Sequence, residues 1–146
     1  MKKEVLLMSA CLMGVNCRYD GGGKTLPQLP QLMERYHIVP VCGEVMGGMT
    51  TPRIPSERVG DKVMDRAGND VTEHFRRGAE EVLRLARLYG AEKALLKERS
   101  PSCGSGEIYD GSFSGTKTAG WGVTAELLRG SGIAVYGESR AEELLG

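Results

Sequence analysis

Long hydrophobic runs are missing from this chain: nothing approaches the roughly 18 consecutive apolar residues of a membrane span. No membrane partner is therefore expected. Neither sign of charge is in excess, with 19 Lys and Arg against 19 Asp and Glu. A protein devoted to nucleic-acid polymers normally carries a basic surplus, so no such polymer is expected as partner; a single nucleobase is still compatible. Histidine is scarce, and His37 and His74 leave few nitrogen ligands for a metal. Aromatic residues make up 5%, and the lone Trp121 reads as core packing before it reads as a base-stacking platform. No Cys-x-x-Cys pair occurs, which excludes a zinc ribbon or a thioredoxin-type motif. The opening MKKEVLLMSACLMG starts like a secretory signal, but Asn16, Arg18 and Asp20 interrupt it and no small-x-small cleavage site follows. The expectation is a soluble, cytoplasmic protein.

What is present is an ordinary globular composition, 40% apolar and 26% charged over 146 residues. That length suits one domain spanning residues 1–146, with a core of its own. Glycine is abundant, at 21 residues, and four cysteines stand at positions 11, 17, 42 and 103. In a reducing compartment they are thiols or ligands rather than disulfides.

Residues 4–9 form an apolar run of strand length that ends in a Gly/Asn/Asp-rich loop. Pro27 opens a short helix to about Arg35, with Leu29, Leu32 and Met33 on one side. Residues 37–42 read as a second strand, although Pro40 is awkward inside a sheet. Residues 62–72 look like a hairpin turning at Ala67-Gly68-Asn69. Asp70 and Glu73 form a capping-box-like start to the strongest helix. Its stripe is Phe75, Ala79, Val82, Leu83 and Ala86, and Gly90 is its stop. Residues 93–97 are strand three, 98–120 a Gly/Ser/Pro-rich loop, 121–129 a helix and 133–137 strand four. Ser139 and Glu142 start a last short helix. This alternation predicts an α/β domain with a mainly parallel four-stranded sheet flanked by helices, Rossmann- or flavodoxin-like. Right-handed crossovers around strand one give the strand order 2-1-3-4.

On that fold, Cys11, Cys42 and Cys103 each lie at or just past the carboxyl end of a different strand. Ligands of open parallel sheets bind along that edge, where the crossover direction switches. Neighbouring strands are about 4.8 Å apart, so three thiols are within reach of one small inorganic centre. All-thiolate ligation favours iron–sulfur or zinc over hard cations. Three ligands would leave a catalytic opening, whereas a fourth from Cys17 would make a structural site.

Three separated blocks resemble the DUF523 family. They are Ser9-Ala10-Cys11-Leu12-Met13-Gly14 with Cys17-Arg18-Tyr19-Asp20-Gly21, then Pro40-Val41-Cys42-Gly43-Glu44 with Pro52-Arg53-Ile54-Pro55, then Ser100-Pro101-Ser102-Cys103-Gly104. The departure is Gly43, where the family pattern has proline. The resemblance implies a four-iron–four-sulfur cluster on Cys11, Cys42 and Cys103, with one iron free of protein. It also implies non-redox removal of sulfur from a small thio-base such as 2-thiouracil. Glu44, two residues past Cys42, is then the candidate general acid and base. Ser100 is the candidate for positioning water or substrate. Arg53 with Glu57 reads as a lid edge or a loop stiffened by an ion pair, and Arg18 with Asp20 as a loop lock. Two rival readings stand beside this one. One is a non-enzymatic metal-binding domain using all four cysteines; the other is a thiol oxidoreductase with Cys11 and Cys17 as its redox pair.

Overall fold

The computed structural model describes residues 3–146. In chain order the elements are β1 (Glu4–Ser9), a 3-10 turn (Ala10–Met13), α1 (Leu29–Arg35), β2 (Tyr36–Val41), α2 (Gly43–Met46), β3 (Ser56–Val59) and β4 (Lys62–Asp65). They continue with α3 (Thr72–Tyr89), β5 (Lys93–Leu96), β6 (Ser105–Tyr109), β7 (Lys117–Trp121), α4 (Val123–Gly130), β8 (Ala134–Gly137) and a closing 3-10 segment (Glu138–Leu144). Four strands make one parallel sheet, ordered β2-β1-β5-β8. With the hairpin strands left uncounted, this is the anticipated 2-1-3-4 order. The fold is mixed α/β, as the alternation of elements indicates.

β1 reads as an unbroken apolar run because both of its faces are covered. Leu7 packs with Val82 and Ala86 of α3 and Leu128 of α4 on one face. Leu6 and Met8 pack with Leu32 of α1 and Leu144 on the other. Met33 departs from expectation: it is exposed, and Leu32 carries the buried side of α1. Pro40 sits inside β2, paired with Met8, and the sheet tolerates it because β2 is an edge strand.

α3 buries the five-residue stripe read from its periodicity and ends at Gly90 in the left-handed region, φ 70°. Its start differs in detail. Asp70 Oδ1 accepts from Thr72 N at 3.0 Å and Thr72 Oγ1 at 2.5 Å, while Glu73 pairs with Arg76 on the exposed face.

The first hairpin is shifted from its expected place. β3 pairs with β4 across Gly60-Asp61, and the turn at 67–69 follows β4. There Asp65 accepts from Asn69 N and Nδ2, and a single bridge joins Met64 to Asp70. The stretch read as loop over 98–120 contains a second hairpin, β6 with β7. Its strands set Gly106 opposite Gly120 and bury only Ile108, so they carry little alternating signal. The last helix is a 3-10 segment. Ser139 does not cap it; its N–H and hydroxyl donate to Glu98 instead.

Two helices touch backbone to backbone. A Cβ on Gly78 of α3 would fall on the Gly43 carbonyl oxygen, and one on Gly47 would fall on the His74 carbonyl oxygen. At Gly43 itself, a Cβ would lie 2.5 Å from Ser102 Oγ and 2.6 Å from Thr124 Oγ1. Gly43, where proline was the expectation, is thus enclosed by two hydroxyls that would have to shift to admit a side chain.

Candidate functional site

The carboxyl edge of the sheet carries a cavity of about 350 Å³. All four cysteines line it, together with Glu44 and Arg53. Cys11 sits in the 3-10 turn that follows β1, and Cys42 follows β2 as the residue before α2. Cys103 lies between β5 and β6. Cys17 belongs to the loop after β1. Cys11, Cys17 and Cys103 are buried and Cys42 half-buried, and all are free thiols.

Each thiol-bearing segment is fixed by main-chain bonds. The opening loop is pinned by Lys24 N to Cys11 O and Leu26 N to Leu12 O. Met46 N donates to Cys42 O at 2.9 Å, starting α2 directly after the cysteine. Ser100 Oγ accepts from Ser102 N at 3.0 Å and Cys103 N at 3.1 Å, which folds the turn that presents Cys103. The carbonyls of Pro101 and Ser102 in turn accept the N–H groups of Val123, Thr124 and Ala125. The turn thus satisfies donors that the first turn of α4 would otherwise leave orphaned.

The thiols also sense one another electrostatically. Burial, then the neighbouring Cys42, pushes Cys11 up to about 11. Burial raises Cys17 to about 12, followed by Cys42 and Cys11. Burial raises Cys103 to about 12 despite a hydrogen bond from Ser9 that pulls the other way. Raised thiols are poor nucleophiles, and the Cys42 thiol donates to the Cys17 main-chain carbonyl at 3.9 Å. The rival reading of Cys11 and Cys17 as a redox pair gains no support from thiols raised in this way. Such thiols ionise when a cationic centre draws them. Among the described residues, no three His, Cys, Asp or Glu side chains come close enough to hold a single metal ion.

Glu44 stands in α2 beside the thiols, and Arg53 holds it. The guanidinium Nε donates to Glu44 Oε2 at 2.6 Å and Nη2 pairs with the same oxygen. Nη2 also donates to Cys17 O at 2.9 Å, and Nη1 to Thr50 O and Thr51 Oγ1. One buried side chain ties α2 to the Cys17 loop and to its own loop, and both contacts to Glu44 use Oε2. Arg53 is thus tied to Glu44, not to Glu57. Glu57 instead accepts Gly111 N at 2.9 Å and Phe113 N at 3.2 Å. Asp20 binds Gly22 N in place of the anticipated pair with Arg18, whose guanidinium lies over the Tyr19 ring. Trp121 packs on the core under Arg129, away from the cavity lining. Ser9, which stands in the first cysteine block with no role legible from the sequence, donates its hydroxyl to Cys103 Sγ at 3.6 Å. Its place immediately before the Cys11 turn was the available signal.

Set against known proteins, residues 6–140 match the model of the 2-thiouracil desulfurase family. The chain belongs to that family. This 2-thiouracil desulfurase family member is similar to a solved structure, the 4Fe-4S-dependent thiouracil desulfidase TudS (DUF523Vcz). The likeness has a TM-score of 0.92 at 48% identity and covers 97% of this chain and 95% of that one. The uncharacterized protein YbbK of Bacillus subtilis (strain 168) is 40% identical over 151 residues, 97% of this chain and 100% of that protein. Among the family member's described residues, no helix is long and apolar enough to cross a membrane.

Proposed function

We propose that the chain removes sulfur from a thiouracil-type base by hydrolysis, in a compartment reducing enough to keep its thiols free. The carbon–sulfur double bond and one water become a carbonyl and hydrogen sulfide, with no net redox change. The observation that carries this reading is the meeting of Cys11, Cys42 and Cys103, from three separate strand ends, in one cavity beside an Arg53-anchored carboxylate.

The donor set fits an iron–sulfur cluster, whose usual ligands are thiolates. A lone tetrahedral zinc would need its sulfurs about 3.8 Å apart, and no such ligand trio is drawn together among the described residues. When bound on Cys11, Cys42 and Cys103, a 4Fe-4S cluster supplies a Lewis-acidic iron without a protein ligand, which polarises the carbon–sulfur bond.

The chain's own side chains do the rest. Glu44 takes a proton from the attacking water at Oε1, the oxygen Arg53 leaves open, and returns it to the departing sulfur. Arg53 fixes the carboxylate so that Oε1 faces one direction. Ser100 uses its oxygen as an acceptor within the turn, which leaves its hydroxyl proton to hold water or a ring oxygen. Ile54, Tyr109 and Phe113 supply flat apolar surface for a pyrimidine ring.

The test is anaerobic reconstitution with iron and sulfide, followed by sulfide release from 2-thiouracil. E44A is expected to keep the visible cluster band and to release sulfide at least about 100-fold more slowly. Undiminished release would remove Glu44 from the chemistry. Serine at position 11, 42 or 103 is expected to abolish the band, whereas C17S keeps it. Loss of the band in C17S as well would favour a four-cysteine structural site.

A further inference from the structure

Ser9 is the last residue of β1, and only 3% of it is exposed. Its hydroxyl oxygen accepts the main-chain N–H of Lys97 at 2.9 Å. Lys97 directly follows β5, the strand next to β1, so the sheet itself sets this contact. With the oxygen held there, the hydroxyl proton points to Cys103 Sγ at 3.6 Å. Neither of the other two strand-end thiols is treated this way. Among the described residues no hydroxyl donates to Cys11 or Cys42, and the Cys42 thiol faces the Cys17 carbonyl at 3.9 Å.

We propose that Ser9 is a positioning residue of the metal centre, donating its O–H to the Cys103 sulfur and drawing electron density from that one ligand. This rests on the reading that Cys103 is a cluster ligand. A hydrogen bond to ligand sulfur favours the reduced state of an iron–sulfur centre and raises its reduction potential. The benefit suits a centre with an open iron: loss of an electron to an oxidant becomes harder. Ser9 takes no part in moving protons or holding substrate. It makes the three sulfurs inequivalent, with Cys103 the least electron-donating.

The test compares wild type, S9A and S9T, each reconstituted anaerobically with iron and sulfide. Midpoint potentials come from a reductive titration followed by electron paramagnetic resonance. Stability to oxidant comes from bleaching of the visible band in air. S9A is expected to titrate at lower potential and bleach faster than wild type, and S9T, which keeps the hydroxyl, to return toward wild type. Equal midpoints and equal bleaching at full cluster content overturn the proposal. Should S9A take up no cluster, its cluster-free form decides. Melting like wild type supports a role exerted on the centre, and melting far below it makes Ser9 a packing residue and ends the proposal. Wild type that takes up no cluster would instead refute the ligand assignment itself.

Discussion

Arg53 shows how one side chain can govern a site without touching its chemistry. Its guanidinium meets Glu44 and the carbonyls of Cys17 and Thr50 while nearly sealed from solvent. Removing it strands a carboxylate and two carbonyls at once. R53A is expected to destabilise the cluster-free protein by about 3–5 kcal/mol, as for other broken buried pairs. R53K keeps the charge but loses the fork and is expected to fall between R53A and wild type. Urea unfolding measures both, and an R53A midpoint equal to wild type would show the clasp to be decorative. This pairing was illegible in the chain because Arg53 and Glu44 lie nine positions apart across an irregular loop, with Glu57 a nearer acidic candidate. The Ser9–Cys103 contact was hidden more deeply, since it needs the sheet to be closed before it exists.

At the scale of elements, α2 and α3 meet backbone to backbone. Gly43 and Gly47 face Gly78 and the His74 carbonyl with no space for a methyl group. G78A is therefore expected to push α2 away and cost about 1–3 kcal/mol, with disturbance of Glu44 and Cys42. A melting curve and cluster uptake read the two effects, and an unaltered pair would mean the helices separate freely. The turn leading into α3 adds an acid-sensitive feature. Hydrogen bonds from Asn69 hold Asp65 below its usual range, and those from Thr72 do the same for Asp70. A depressed carboxyl stabilises the fold above its unfolded pKa, here 3.8, and loses that contribution as pH falls through the folded value. The D65N/D70N double variant is expected to show a shallower stability loss below about pH 4 than wild type. Parallel acid limbs in the two proteins would count against these turns.

Across the whole molecule, the parallel sheet was readable because β1, α3 and β5 are long enough or periodic enough to show their burial. Gly90 and the edge position of Pro40 obey simple backbone rules. The β6–β7 hairpin was not readable, since Gly106 and Gly120 carry no side-chain pattern. The two hydrophobic cores on either face of the sheet are built chiefly from aliphatic residues such as Leu6, Leu7, Val82 and Leu128. Stripping the centre with a chelator or air is accordingly expected to abolish sulfide release while the circular dichroism and a cooperative melt persist. A collapse of both on stripping would mean the centre holds the fold together.

The sulfurs of Cys11, Cys42 and Cys103 are carried on segments that become neighbours only when β2, β1 and β5 lie side by side. A nascent chain on the ribosome therefore has no binding site to offer until Cys103 has emerged and the strands have paired. Iron delivery, on the assignment proposed above, is a late event in biogenesis, made to an already shaped receptacle, so shortage of iron would leave intact protein waiting rather than debris.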